Sequence, residues 1–374
     1  MFSSPTSLSD REGIAIRALR IIVSLLAAAA AVSLCYMMVQ KKLEPGDVSI
    51  PEPEILYTGE DFVMDTFVTQ KVSAGNGEEL ILSVNDLLHD IEAEWSAYRD
   101  GSVPAKINAK AGVSPVEITA EQYEIIRDVY DFSVSTEGRF DLTVSPLVKL
   151  WNITSGEAVV PSADKISHAL SYIGLENITL DDEAKTVYLD RPGVELDFGG
   201  SLKGYAVEQV LEFYQQSGVK GAMISIGGSV AVTGEKPTED GGGAPFRIGL
   251  RDPLGTASDY YGVLTLSDKV ICSSGAYERY FEEDGVVYHH ILDPMTGYPA
   301  ESDLLSITVI SEDGLLCDCL STWLYMGGLS LVKEHLNEPD YSIIAVDEAK
   351  RVWLSDDLTG AFTLRDGSGY EMAE

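Results

Sequence analysis

The stretch Val194-Glu195-Leu196-Asp197-Phe198-Gly199-Gly200-Ser201-Leu202-Lys203-Gly204-Tyr205-Ala206-Val207-Glu208 changes its period half-way. The first five residues alternate apolar and acidic, which predicts a short half-buried strand. Two glycines follow, and from Ser201 to Gln216 apolar residues return at helical spacing. A strand handing over to a helix through glycines lets a ligand approach the backbone, and it gathers free N–H groups at the positive end of the helix dipole. Lys203 falls in the first turn, where its ammonium supplies a point charge for a phosphate. The spacing is neither a Walker loop nor GxGxxG, so an ordinary strand–turn–helix stays open as the alternative.

Working outward, strands and helices mix without a regular βαβ alternation. Phe62–Val72 alternates like a strand. Leu80–Ala97 has helical spacing, with Leu80, Leu87, Leu88, Ile91 and Trp95 on one face. Thr119–Phe132 reads as a helix capped by Thr119, with Gln122 at the capping-box position. Further strands are expected at Thr186–Leu189, Ala222–Ile226, Ser229–Thr233, Phe246–Leu250, Tyr261–Leu266 and Ser306–Ile310, and a last helix at Leu316–Gly327. Asp240-Gly241-Gly242-Gly243 reads as a hairpin tip. No internal repeat is visible. The class predicted is α+β, one domain over residues 61–374.

Three more segments carry groups with chemistry. In Tyr288-His289-His290-Ile291-Leu292-Asp293-Pro294-Met295-Thr296-Gly297, a histidine just before an Asp-Pro turn is a candidate general base near neutral pH. In Cys317-Asp318-Cys319-Leu320-Ser321-Thr322-Trp323, Asp318 and Thr322 stand one helical turn apart, and a carboxylate with a hydroxyl suits a hard cation such as Mg²⁺. The competing reading of Asp318 is a helix N-cap. Gly138-Arg139-Phe140-Asp141-Leu142-Thr143-Val144-Ser145-Pro146, with Trp151 beyond it, reads alone as a loop beside a buried aromatic. Cys317 and Cys319 lack further ligands for a tetrahedral metal set and read as small core residues.

The chain of 374 residues carries 26 Lys+Arg against 60 Asp+Glu, a formal net charge of −34. That acidity excludes a nucleic-acid footprint, and it means an anionic ligand needs a local cation, a helix N-terminus or a metal. Residues 21–39 hold no charged side chain and, as a helix, would be about 28 Å long, close to the hydrocarbon core of a bilayer. Arg11, Arg17 and Arg20 precede them and Lys41 and Lys42 follow, which favours residues 1–20 inside and the bulk of the chain outside. The expectation is a transmembrane signal anchor in the cell membrane; a cleaved signal peptide and a lipoprotein joined to lipid at Cys35 are the alternatives. Each places the folded domain outside the cytoplasm. Residues 40–60, with three prolines in Leu43–Tyr57, read as an extended linker.

Taken together and in order, these segments resemble the ApbE family of FAD:protein FMN transferases. The similarity runs from about Val63 to Gly328 through MDTF, WSAYRDGS, GRFDLTVSPL, LDFGGSLKGYA, SIGGSVAVTG, LRDP, SSGAYERYF, HHILDPMTG and CDCLSTWLYMGG. The resemblance implies a single α+β catalytic domain, T-fold-like, with FAD as substrate and Mg²⁺ as cofactor. It implies FAD contacts at Met64, Tyr98, Arg139, Phe140, Asp141, Asp197, Lys203 and Leu292. It implies Mg²⁺ ligands at the main-chain oxygen of Gly200, Asp318 and Thr322, with Ser321 a further candidate, and a catalytic base at His290, with His289 next in line. The implied partner is an exported acceptor protein with an FMN-binding domain, whose Ser or Thr takes FMN while AMP leaves. An FAD-binding or trafficking protein, or an FAD pyrophosphatase without transfer, are the alternative activities. Three positions depart from the family pattern: Asp65 in place of Gly, Ser229 where an acid often follows the glycine pair, and Ala276 where Asp is common. Asp65 adds an anion beside an FAD contact, and weaker FAD binding is the expected consequence.

Overall fold

The computed structural model describes residues 55–153 and 158–373. The expected anchor at 21–39 and Cys35 lie outside them. The chain opens with β1 (Leu56–Val63) and β2 (Thr66–Ser73), joined through Met64 and Asp65. Both turn residues have φ 54°, the left-handed conformation that a two-residue type I′ hairpin demands. The single strand expected over Phe62–Val72 is therefore a hairpin, because alternation alone does not mark a turn that lacks Gly or Asn. β1 also takes residues 56–60 out of the stretch expected as linker.

Then follow α1 (Gly77–Trp95), α2 (Val103–Asn108), β3 (Val116–Glu117) and α3 (Ala120–Ser135). Thr119 accepts from the Gln122 N–H at 3.2 Å and Gln122 accepts in return from the Thr119 N–H at 3.1 Å, the reciprocal cap expected from sequence. Next come α4 (Ser145–Trp151), α5 (Ala163–Leu170), β4 (Ile178–Asp181), β5 (Thr186–Leu189) and α6 (Leu202–Gln216). β6 (Gly221–Ile226) and β7 (Ser229–Pro237) form a hairpin over Gly227-Gly228, and β8 (Gly243–Arg251) returns against β7. The remainder is β9 (Tyr260–Leu266), β10 (Lys269–Ser274), β11 (Tyr280–Glu283), β12 (Val286–His289), β13 (Leu304–Ser311), α7 (Gly314–His335), β14 (Ser342–Asp347), β15 (Arg351–Leu354), β16 (Phe362–Leu364) and β17 (Glu371–Met372).

Twelve strands make one sheet in the order β1-β2-β6-β7-β10-β13-β14-β15-β17, with β8, β9 and β16 branching from β7. All of its pairings are antiparallel except β15 with β17. α6 and α7 pack on each other and on the central strands, and α1 covers β1 and β2. β14 is buried along its whole length. Ile343 and Ala345 face the main core, while Ile344 and Val346 face a second core under β8, β9 and β16. A strand sandwiched between two cores reads as a continuous apolar run, since neither face meets water. A third cluster around Leu147, Trp151, Ile166 and Leu292 fixes α4 and α5.

The segment Val194–Phe198 is not a strand. Val194, Leu196 and Phe198 are buried, so its alternation is real. Its backbone, however, bonds outside the sheet: the Leu196 N–H donates to Asn108 Oδ1, at the end of α2, at 2.7 Å and the Asp197 N–H to the Leu142 carbonyl at 2.9 Å. α7 is the one helix among the described residues long and apolar enough to cross a membrane, yet it lies against the sheet. It breaks at Gly328 (φ 69°), where Asp303 Oδ1 accepts from the Leu329 N–H at 2.7 Å.

Candidate active site

The Gly199-Gly200 turn, the start of α6 and the middle of α7 converge on a cavity of about 280 Å³. Its wall includes Met64, Tyr98, Arg139, Phe140, Asp141, Asp197, Gly200, Lys203, His290, Leu292, Asp318 and Thr322. These are all the site residues expected from sequence except Ser321. Positions spread from 64 to 322 meet here because the β1–β2 turn, the α3–α4 loop and the segment after β12 all reach the N-terminal end of α6.

Asp318 is not a helix cap; Asp313 caps α7 by accepting from the Leu316 N–H at 2.8 Å. Asp318 is buried in the second turn, 3% exposed. Its Oδ2 accepts from the Gly204 N–H at 3.0 Å and stands 3.6 Å from Lys203 Nζ. Among the described residues no donor reaches Oδ1. A carboxylate this buried requires compensation, and one N–H and one partly exposed lysine supply only part of it. Gly200 is close by: a methyl group there would lie 3.0 Å from the Phe140 ring and 3.9 Å from Thr322 Oγ1. The Asp318 carboxylate and Thr322 hydroxyl on this wall, with the Gly200 carbonyl that the resemblance implies, would form a hard-oxygen donor set of the kind Mg²⁺ takes. Ser321 does not join it. Its hydroxyl donates to the Asp318 carbonyl at 2.9 Å and shares a hydrogen with Ser274 Oγ at 2.8 Å, fully buried behind the cavity wall. Among the described residues no group of three or more His, Cys, Asp or Glu side chains is placed to hold a metal.

His290 lines the cavity with its Nδ1 3.3 Å from the main-chain carbonyl of Arg279. A carbonyl only accepts, so this contact requires the proton on Nδ1 and leaves Nε2 as the free base. Burial, with the cations Lys203 and Arg279 facing it, pushes the imidazole down to about 3. His290 is therefore neutral at neutral pH. His289 differs: it points at Ala300, whose carbonyl is 3.0 Å from Nε2, its Nδ1 is buried without a partner among the described residues, and it does not line the cavity. That removes it as the reserve base.

Elsewhere on the cavity wall the Tyr98 hydroxyl donates to Asp197 Oδ2 at 3.1 Å, and Asp197 Oδ1 accepts from the Gly199 N–H at 2.7 Å. Burial raises the Asp197 carboxyl, and burial together with that carboxylate raises the Tyr98 phenol. Asp141 Oδ1 takes the Thr143 N–H at 2.7 Å and the Thr143 hydroxyl at 2.6 Å, while burial raises its carboxyl. Arg139 is exposed at the rim, and Phe140 packs edge-on against Phe132 at 5.3 Å. Leu292 pairs with Pro299 across the Asp-Pro turn. Trp151 donates its indole N–H to the Gly297 carbonyl at 2.8 Å, tying that turn to α4.

Three charged lining residues escape the sequence reading: Glu92, Glu278 and Arg279. Glu92 sits on α1, with nothing in its helical spacing to mark it. Glu278 lies among Lys203, Arg251 and Arg279, and burial raises its carboxyl. Glu278 and Arg279 fall in the SSGAYERYF segment, but no local pattern says that they face a cavity.

With this geometry in hand, similarities to known proteins become informative. The family model described as the ApbE family matches residues 64–346, more than half of the chain. An FAD:protein FMN transferase of Klebsiella pneumoniae is 34% identical over 298 residues, 79% of this chain and 91% of that protein. One of Treponema pallidum is 32% identical over 270 residues, 70% and 75% respectively. The crystal structure of the ApbE protein of Thermotoga maritima superposes with a TM-score of 0.72 at 33% identity, covering 81% of this chain and 98% of that one. The apo flavinyl transferase ApbE of Pseudomonas stutzeri gives 0.68 at 28% identity, covering 82% and 98%. The cavity, the ordered motifs around it and these likenesses agree, and the chain belongs to the ApbE family.

Proposed function

We propose that the chain is an FAD:protein FMN transferase that uses Mg²⁺ and acts outside the cytoplasm. The observation that carries this reading is the meeting of His290, Lys203, Asp318 and Thr322 on one cavity, in a chain 34% identical to a relative of that activity. The FAD pyrophosphate is anionic, and in a chain of net charge −34 it needs local cations. Lys203 provides one at the positive end of the α6 dipole, where the Leu202 and Gly204 N–H groups already donate to the Phe198 carbonyl and to Asp318. Asp318, Thr322 and the Gly200 carbonyl would hold Mg²⁺, which when bound neutralises charge on the phosphates.

The acceptor is a Ser or Thr hydroxyl of an exported protein with an FMN-binding domain. His290 Nε2 takes the hydroxyl proton as the oxygen attacks the FMN phosphorus. The new O–P bond forms while the bond from that phosphorus to the bridging oxygen breaks, and AMP leaves. A hydroxyl is a poor nucleophile, so a neutral base within reach is required. Burial, helped by Lys203 and Arg279, keeps His290 neutral, and an anionic substrate bound beside it raises its affinity for a proton. The uncharged run 21–39, with cations on its N-terminal side, supports a membrane anchor or export signal.

Incubating the purified chain with FAD, Mg²⁺ and a candidate acceptor tests the reading. Flavin fluorescence that stays with the acceptor on a denaturing gel is the expected result. Free FMN and AMP without labelling would mean a pyrophosphatase, and intact FAD a binding protein.

A further inference from the structure

The Met64–Asp65 turn is held in a conformation its residues resist. Left-handed backbone costs an L-residue roughly 1–2 kcal/mol, and two such residues in sequence persist only where their surroundings over-determine them. Here both have φ 54°. Two side chains from distant parts of the chain grip the turn. Glu92 Oε1, from α1, accepts the Met64 N–H at 2.9 Å. Arg279, 214 residues away, donates from Nη2 to the Asp65 carbonyl at 2.7 Å. Both turn residues line the cavity, as do Glu92 and Arg279. Arg279 also serves the other side of the site, because its main-chain carbonyl accepts the His290 N–H at 3.0 Å and meets His290 Nδ1 at 3.3 Å.

We infer that Arg279 is a positioning residue that staples the strained Met64–Asp65 turn into the wall of the FAD cavity. Its guanidinium is directed to the turn carbonyl by a hydrogen bond of ordinary length, so it acts through Met64 and Asp65 rather than on the reacting phosphorus. The inference rests on the flavin-transfer reading for its ligand, though the staple itself does not need flavin. It makes a specific demand of Asp65. With glycine at that position residue 65 adopts φ > 0 without strain and only Met64 remains strained, so the turn depends less on the staple.

The test is a cycle of Arg279→Ala, Asp65→Gly and the double variant in the full chain. Amide hydrogen exchange over residues 62–67 is followed without ligand, and FAD dissociation constants and kcat are measured alongside. Arg279→Ala is expected to speed exchange in the turn and to weaken FAD about tenfold, the scale of one lost charge-assisted hydrogen bond, with kcat within about threefold. In the Asp65→Gly background the same substitution is expected to weaken FAD by only about twofold. Equal losses in both backgrounds, or a loss confined to kcat, would overturn the staple and assign Arg279 to the ligand or the chemistry. Unchanged exchange in Arg279→Ala would overturn it whether or not FAD binds, whereas an unmodified chain that ignores FAD refutes the flavin reading alone. If Arg279→Ala does not fold, Arg279→Lys replaces it in the same cycle. Lys keeps the charge but loses the planar fork, so the same dependence on residue 65 is expected, and its absence decides against the inference.

Discussion

Gly204 donates its backbone N–H to Asp318 Oδ2 at 3.0 Å, joining the first turn of α6 to the second turn of α7 across 114 residues. This contact sets Lys203 and Asp318 side by side and fixes where one side of the cavity floor lies.

Asp318→Asn retains an oxygen that can accept from Gly204 but discards the charge. The expected outcome is a loss of turnover of about 10²-fold or more, on the scale of one electrostatic contact made to the reacting centre, with the unfolding midpoint little changed. EDTA should abolish labelling of an acceptor by the parent chain, and Mg²⁺ should restore it. Undiminished labelling by Asp318→Asn would remove the metal assignment.

Gly204→Ala tests the helix contact itself. An added methyl would sit 2.0 Å from the Gly314 carbonyl oxygen and 2.7 Å from Asp318 Cβ. Backbone atoms cannot step aside as a flexible side chain would. The expected cost is at or above the upper end of the usual overpacking range of about 1–3 kcal/mol, read by denaturant unfolding.

His290 yields a signed pH prediction. Its imidazole is held down to about 3 in the ligand-free chain, against an ordinary 6.5. The profile of kcat/KM, which reports free enzyme, should therefore show no histidine limb near 6.5. The profile of kcat should show its acid limb at higher pH than that of kcat/KM, because bound phosphates favour the imidazolium. Stability carries the matching sign. Between pH 6.5 and about 3 the unfolded histidine binds a proton that the folded one refuses, so stability falls as pH falls through that window. His290→Gln should flatten that slope and abolish transfer while FAD still binds; full transfer by this variant would move the base elsewhere.

Trp151→Phe removes the indole N–H that satisfies the Gly297 carbonyl. Orphaning a buried acceptor costs about 1–3 kcal/mol, and chemical denaturation should show that loss. Because Trp151 holds the Asp-Pro turn rather than touching the cavity, kcat should change by a few-fold at most. A collapse of kcat with unchanged stability would give Trp151 a direct part in the reaction.

How far these residues were legible in the sequence follows from the range of the interactions that place them. Thr119 and Gln122 cap α3 through contacts three residues apart, and the helix of Lys203 is marked by its own apolar spacing; both are local, and both were readable. Val194–Phe198 shows the limit. Its alternation correctly predicted which side chains are buried, but whether a backbone joins a sheet depends on what lies beside it, and Asn108 and Leu142 lie there.

The sequence by itself determined the α+β class and the ordered motifs, because periodicity, glycine breaks and residue chemistry are properties of short segments, and the resemblance those motifs carry implied twelve residues of the cavity wall. Tertiary structure decided the rest. It turned Ser321 away to Ser274 and set His289 against Ala300, leaving His290 alone at the cavity with Nε2 free. It also brought Glu92 and Arg279 onto a turn that sequence alternation had read as part of one strand. Each of those outcomes depends on a partner 11 to 214 residues distant, and local pattern carries no information over such separations.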